Sequence, residues 1–190
     1  MNIKDQQSEF RKNQILQIAL DQFIERGFYG TSTRRIAELA GISSGLMFHY
    51  FSSKEVLYET LIEIGCNEMV VGEEQGESAI ERLEKKVGDF LALIKRNSFS
   101  AKMFVFMGMA SMNAEDISSK AAELIEAHDI VAQSISLIEQ GQKEGSIREG
   151  SPEALSVTFY SCIQGIAQVM ATKPETVLPE KEWILSIIKK

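Results

Sequence analysis

Ser43, Ser44 and Gly45 stand together directly after the pair Gly41-Ile42. Two hydroxyls beside a bare stretch of backbone suit hydrogen bonding at close range to a flat polar surface, such as the edge of a base pair. Material for other chemistry is scarce. The chain has two histidines, His49 and His128, and two cysteines, Cys66 and Cys162. No acid–base pair, nucleophile–base pair or metal-ligand spacing can be assembled from these four. The expectation is no catalytic residue, no metal site, no cofactor and no enzyme. His49 is expected in a structural or DNA-facing role, and His128 as a satisfied buried or interface histidine.

Two short helices must hold the small polar residues in place. Ser32 can cap a helix over 33–40 with Ile36, Leu39 and Ala40 facing inward, and Gly41 ends it. Ser43 can then cap a second helix to about Tyr50. Two such helices about a tight glycine turn form a helix-turn-helix, in which the first helix braces the second and the second presents its N-terminal side chains to the major groove. Ahead of this unit, Leu16, Leu20 and Phe23 mark one face of a helix over 8–26, ended by Gly27. After it, Ser52 and Glu55 read as a capping box opening a fourth helix through Val56, Leu57, Leu61 and Ile64. That helix is expected to fade in Gly72-Glu73-Glu74-Gln75-Gly76.

The whole chain of 190 residues is 44 % apolar and 25 % charged, a globular composition that excludes disorder. Its three prolines all lie at or after Pro152, and apolar residues recur at three and four, so the fold class is all-α. The expected layout is a three-helix head over 1–52 and a larger helical bundle body over 53–190, joined by a helix over 53–71. Body helices are expected over 79–96, 100–112, 116 to 141 or 145, and 152–172, with a helical tail over 179–190. Charge is uneven. Residues 1–54 carry seven Lys/Arg against five Asp/Glu, and the remainder 13 against 22, so a head of +2 sits on a body of -9. That asymmetry suits a protein touching phosphates at one end only. The polar N-terminus lacks a signal peptide's apolar stretch, and no apolar run approaches the ~20 residues of a membrane span. A cytoplasmic protein with reduced, buried thiols and no membrane partner is expected.

Residues 27–57 resemble the DNA-binding head of TetR-type transcriptional regulators. The resemblance rests on the glycines, Ile36-Ala37, the run His49-Tyr50-Phe51 and Lys54-Glu55, and is close over about residues 10–60. It implies that Arg34 reaches a base with its planar fork, that Ser43, Ser44 and Gly45 open the recognition helix, and that Thr33, Tyr50 and Lys54 hold phosphates. Leu46 stands where threonine is frequent in the family and Phe48 where tyrosine is. Each removes a hydroxyl, and Leu46 is instead able to pack on a thymine methyl. Phe51 is expected in the core.

In the body, Leu124, His128, Val131 and Ile135 belong to one stripe of alternating three and four spacing. Leu155, Phe159, Cys162, Ile166 and Val169 form another. Either stripe can face the monomer's own core or a partner helix. The resemblance favours a homodimer seam built from both. The Met/Phe-rich run holds Met103, Phe106 and Met107, with Phe90 and Ile94 before it. It reads equally as one wall of a pocket for a small apolar or mixed-polarity effector and as a core helix.

The expected function is a ligand-responsive transcriptional regulator, a repressor, that binds double-stranded, pseudo-palindromic operator DNA as a homodimer. The rival from another class is a helical ligand- or protein-binding module with an impaired DNA-binding head.

Overall fold

In the computed structural model, residues 3–69, 78–112 and 118–190 are described. Among them every named element is a helix: α1 (Ile3–Gly30), α2 (Thr33–Leu39), α3 (Ser44–Tyr50), α4 (Lys54–Met69), α5 (Ala79–Arg96), α6 (Ser98–Met112), α7 (Ser119–Ala127), α8 (Ile130–Lys143), α9 (Pro152–Thr172) and α10 (Lys181–Leu185). The expected loop at Gly72-Glu73-Glu74-Gln75-Gly76 and the expected helix start at Asp116 lie outside the described residues. The chain forms two compact units: residues 1–67 with 106–125, and residues 68–105 with 126–190.

In the first unit, α1 buries Ile15, Leu16, Ala19, Leu20 and Phe23 along one face, the three-four spacing that aligns side chains on a helix. Gly27 bends the helix with φ 69°, a left-handed conformation that costs glycine little. The Thr31 side chain secures the corner that follows. Thr31 Oγ1 donates to the Gln22 carbonyl at 3.0 Å and to the Gly27 carbonyl at 2.8 Å. Phe23, Phe28, Tyr58 and Phe106 form an aromatic cluster, with edge-to-face contacts of Tyr58 to Phe23 (4.9 Å), Phe28 (5.1 Å) and Phe106 (4.9 Å). Burial pushes the Tyr58 phenol up to about 12. Helices α4 and α7 are joined by Ser118 Oγ donating to Glu59, by the Lys120–Glu63 ion pair at 2.6 Å, and by Cys66 Sγ donating to the Leu124 carbonyl.

In the second unit, α5 opens with a capping box: the Ser78 hydroxyl accepts from Glu81 N while the Glu81 carboxylate accepts from Ser78 N. Helix α8 packs on α9 and on α5, and buries Ser134, Leu137, Ile138 and Gly141. A Cβ at Gly141 would lie 2.4 Å from Ile147 Cδ1, so glycine here lets the buried Ile147 close over the helix. Arg148 Nη2 donates to the Ser186 and Lys189 carbonyls, tying the tail to the loop before α9.

Several expectations change. The long helix expected from 116 to 141 or 145 is broken: α7 ends at Ala127, and the Asp129 carboxylate caps α8 by accepting from Val131 N (2.9 Å) and Ala132 N (3.0 Å). His128 therefore lies in a turn, half-buried, rather than within a helical stripe. Ser53, not Ser52, caps α4, accepting from Val56 N at 3.3 Å. Leu39 is 43 % exposed, because Ile36, Ala37 and Ala40 are the inward residues of its helix. Helix α10 spans five residues of the tail. Of the two free thiols, Cys66 is buried but Cys162 only half-buried. Finally, α9 is long and apolar enough by length and composition to cross a membrane, with 28 % of its apolar window buried. The expectation that no segment approaches a span thus holds for contiguous apolar runs, not for this helix.

Candidate nucleic-acid interface

Helices α2 and α3 are seven residues each, too short to persist without fixed ends. Serines supply those ends. Ser32 Oγ accepts from Arg35 N, and Ser43 Oγ accepts from Leu46 N, both at 3.2 Å. Between the helices Gly41 takes φ 64°, and Ile42 N bonds back to the Ala37 carbonyl at 3.0 Å. Ile36, Ala37, Ala40, Met47 and Phe51 anchor the pair from behind, all at most 4 % exposed. The local sequence sets both caps and the turn, and burial fixes which faces remain outward.

The outward side carries Arg34, Arg35, Glu38, Ser43, Ser44, Gly45, Leu46, Phe48 and His49, all exposed. Thr33 and Tyr50 are half-buried at its margins, and the His49 and Tyr50 rings meet edge-to-face at 5.6 Å. Arg34 is the more open of the two arginines, with an 85 % exposed side chain against 51 % for Arg35. Helix α3 contains no lysine or arginine. What it offers is hydroxyl, imidazole and apolar surface, while cationic reach comes from α2. A Cβ on Gly45 would meet nothing nearer than Ser43 Oγ at 3.9 Å. No packing within the head requires a glycine there, although glycine weakens a helix by about 1 kcal/mol relative to alanine.

Two features were missed from sequence. Glu38 pairs with both arginines of α2, at 3.2 Å from Arg34 Nε and 3.6 Å from Arg35 Nη1; the four-residue Arg34–Glu38 spacing is a signal that was available. Lys54 also has a structural bond set. Its ammonium donates to the Phe28 carbonyl at 2.7 Å and the Thr31 carbonyl at 3.1 Å, and stands 4.1 Å from the Phe28 ring centroid. It holds the corner between α1 and α2, a connection over 26 residues that spacing does not reveal.

The body residues singled out in sequence fall as follows. Phe90, Ile94 and Met103 belong to the second unit and Phe106 and Met107 to the first, all buried. Phe90 packs edge-to-face on Phe104 at 4.7 Å. Leu124, Val131, Ile135, Leu155, Cys162 and Ile166 are half-buried and Val169 is exposed. Phe159 is fully buried within its own unit, which corrects its assignment to a seam: the core face of α9 is Ser156, Phe159, Ile163, Ala167 and Met170. A buried polar cluster accompanies it: the Ser134 and Ser156 hydroxyls are hydrogen-bonded to each other, and both lie within hydrogen-bond distance of the Val131 carbonyl, to which the hydroxyl not donating to its partner donates. The phenol of Tyr160 beside them is pushed up to about 12 by burial.

Comparison with known proteins bears on both parts of the chain. Residues 15–61 match the family model described as bacterial regulatory proteins, tetR family. The chain is 37 % identical over 84 residues to the HTH-type transcriptional repressor KstR2 of Mycolicibacterium smegmatis, a stretch covering 43 % of this chain and 40 % of that protein. The match thus spans two fifths of the relative's length. The fold as a whole is similar to the crystal structure of the MbdR regulator from Azoarcus sp. CIB, with TM-score 0.74 and 20 % identity over 93 % of this chain and 96 % of the other. It is also similar to AibR, crystallised with isovaleryl coenzyme A and operator DNA, with TM-score 0.66 and 21 % identity over 93 % and 94 %.

Proposed function

Starting from membership of the tetR family of bacterial regulatory proteins, carried by residues 15–61, we propose that this chain represses transcription by binding a pseudo-palindromic operator as a homodimer and releases it on binding a small molecule. The observation that carries the reading is the outward face of α2 and α3. An 85 % exposed Arg34 stands on the bracing helix, and small polar residues, Ser43, Ser44 and Gly45, open the next one. Arg34 is assigned to a base edge, Leu46 to a thymine methyl, and Thr33 and Tyr50 to phosphates. Lys54 supports the corner beneath them and has one N–H left to offer a phosphate.

Dimerisation is supported by α9. Its 21 residues include a single charge, Glu153, and its outward side presents Val157, Ser161, Gly165 and Val169 at four-residue spacing. A second copy would bury this face and set two heads on half-sites ~34–36 Å apart along one side of the duplex. The effector is assigned to the body as a small molecule of apolar or mixed polarity. It acts by favouring one spacing of the heads over another, with a coupling of about 1–3 kcal/mol. The isovaleryl coenzyme A seen with AibR is that protein's ligand, and only the pairing of effector with operator is carried over.

The test is selection from random duplex DNA by the purified protein at physiological salt, followed by a salt titration on the selected site. A two-fold symmetric motif whose affinity falls steeply with salt is expected. If protein refolded to strip any carried-over ligand still enriches nothing, the operator reading fails and the ligand- or protein-binding module takes its place.

A further inference from the structure

The first turns of α1 play no part in the interface described above. Lys4, Gln7, Ser8 and Arg11 share one helical face by their spacing. With Phe10 they line an open groove of about 850 Å3 that also takes in Tyr50, the last residue of α3. Two features mark this groove. In a chain of net charge -7, its lining includes two cations and no carboxylate. Asp5 and Glu9, from the same two turns of α1, are not part of it. The groove is also continuous with the outward surface of the head, because Tyr50 ends the helix that carries Ser44, Gly45, Leu46 and His49. Arg11 Nη1 donates to the neutral Gln14 amide oxygen at 2.8 Å, a bond that orients the guanidinium without cancelling its charge.

We propose that this groove receives the phosphate backbone of the operator beyond the bases reached by α2 and α3. Arg11 and Lys4 face phosphate oxygens, and Tyr50 donates its phenol proton to one. The inference rests on the DNA-binding reading and extends it to a second, sequence-independent contact on each head. Contacts of this kind release condensed counterions and fix register without discriminating bases. Affinity should therefore depend on α1 even where sequence preference does not.

Neighbouring residues provide the test. Arg11→Gln and Lys12→Gln each remove one positive charge from α1, but only Arg11 lines the groove. On the operator selected by the wild-type protein, Arg11→Gln is expected to make the dependence of log affinity on log salt shallower by about one per head. It should also expose the outermost backbone positions to hydroxyl-radical cleavage and leave the selected motif unchanged. Adding Lys4→Gln should double the change in slope. Lys12→Gln and the charge-conserving Arg11→Lys should both keep the wild-type slope and footprint, and the latter separates a fold defect from a lost contact. Equal losses in Arg11→Gln and Lys12→Gln, or no loss in either while the wild type binds, overturn the groove assignment. A wild-type protein that selects no site removes the DNA reading itself, and this inference with it.

Discussion

Arg34 Nε lies 3.2 Å from Glu38 Oε1, one turn along α2, and the second oxygen of the same carboxylate stands 3.6 Å from Arg35 Nη1. The cationic surface of α2 is thus partly neutralised within its own helix. Such exposed pairs contribute at most about 1 kcal/mol to stability. Under the operator reading proposed above their consequence is for binding, since a phosphate or guanine would have to displace the carboxylate to engage the arginines fully.

Removing the competitor should strengthen binding. Glu38→Gln is expected to raise operator affinity several-fold at low salt, with the gain shrinking as salt screens the added attraction. Arg34→Ala should lower sequence-specific affinity by about 1–3 kcal/mol, the worth of a good bidentate base contact. Fluorescence anisotropy on a labelled operator measures both. A Glu38→Gln protein that binds no better than wild type would mean that the carboxylate does not restrain the arginines.

Lys54 is expected to matter for folding before it matters for DNA. Lys54→Met keeps the stem over Phe28 but leaves the Phe28 and Thr31 carbonyls without their donor. Hydrogen bonds from a charged group contribute roughly 1.5–3 kcal/mol, so urea unfolding should show a loss of about 2 kcal/mol. A loss under about 0.5 kcal/mol would reduce the tie to a phosphate contact.

The aromatic cluster sets an alkaline limit. Tyr58 is raised to about 12 from an ordinary 10, so the folded chain favours its neutral form. A group raised on folding contributes fully below its unfolded value, and the contribution fades as pH climbs through the folded one. Urea midpoints should therefore fall between pH 10 and 12, and Tyr58→Phe should flatten that fall by removing the phenol. Tyr160, raised likewise, remains in that variant, so part of the slope should persist.

The outward side of α9 makes a prediction about assembly. Val169 is 45 % exposed and Val157 54 %. Val169→Glu should cost the monomer little and prevent a seam from closing, since it buries a lone charge there. Sedimentation velocity on the wild type should give twice the 21.2 kDa chain mass, and on the variant the chain mass itself. A wild-type monomer at micromolar concentration would end the dimer proposal.

Features set within three or four residues were readable in the chain. Ser32 and Ser43 are caps as expected, Gly41 makes the turn, and α9 begins at Pro152 behind a Ser151 cap. Each follows from backbone groups satisfied by a near neighbour. The limits appear where two local solutions are almost equal. Ser52 and Ser53 are equally able to cap α4, and the choice falls to Ser53 in a chain that also buries Phe51.

Longer patterns identified the helices but not their partners. A four-three repeat runs unbroken through His128, yet the chain stops one helix at Ala127 and restarts another on Asp129. A helix needs only one buried face, and the repeat is the same whether that face meets its own core or another copy. Phe159 went to the core for this reason. Lys54 reaching back to Phe28 and Thr31, and Glu59 and Glu63 reaching Ser118 and Lys120, join residues 23 to 59 positions apart. Local free energy carries no record of such pairs. They exist only once burial of the apolar faces has brought the helices together, and that packing settled the corner beneath α2 and α3.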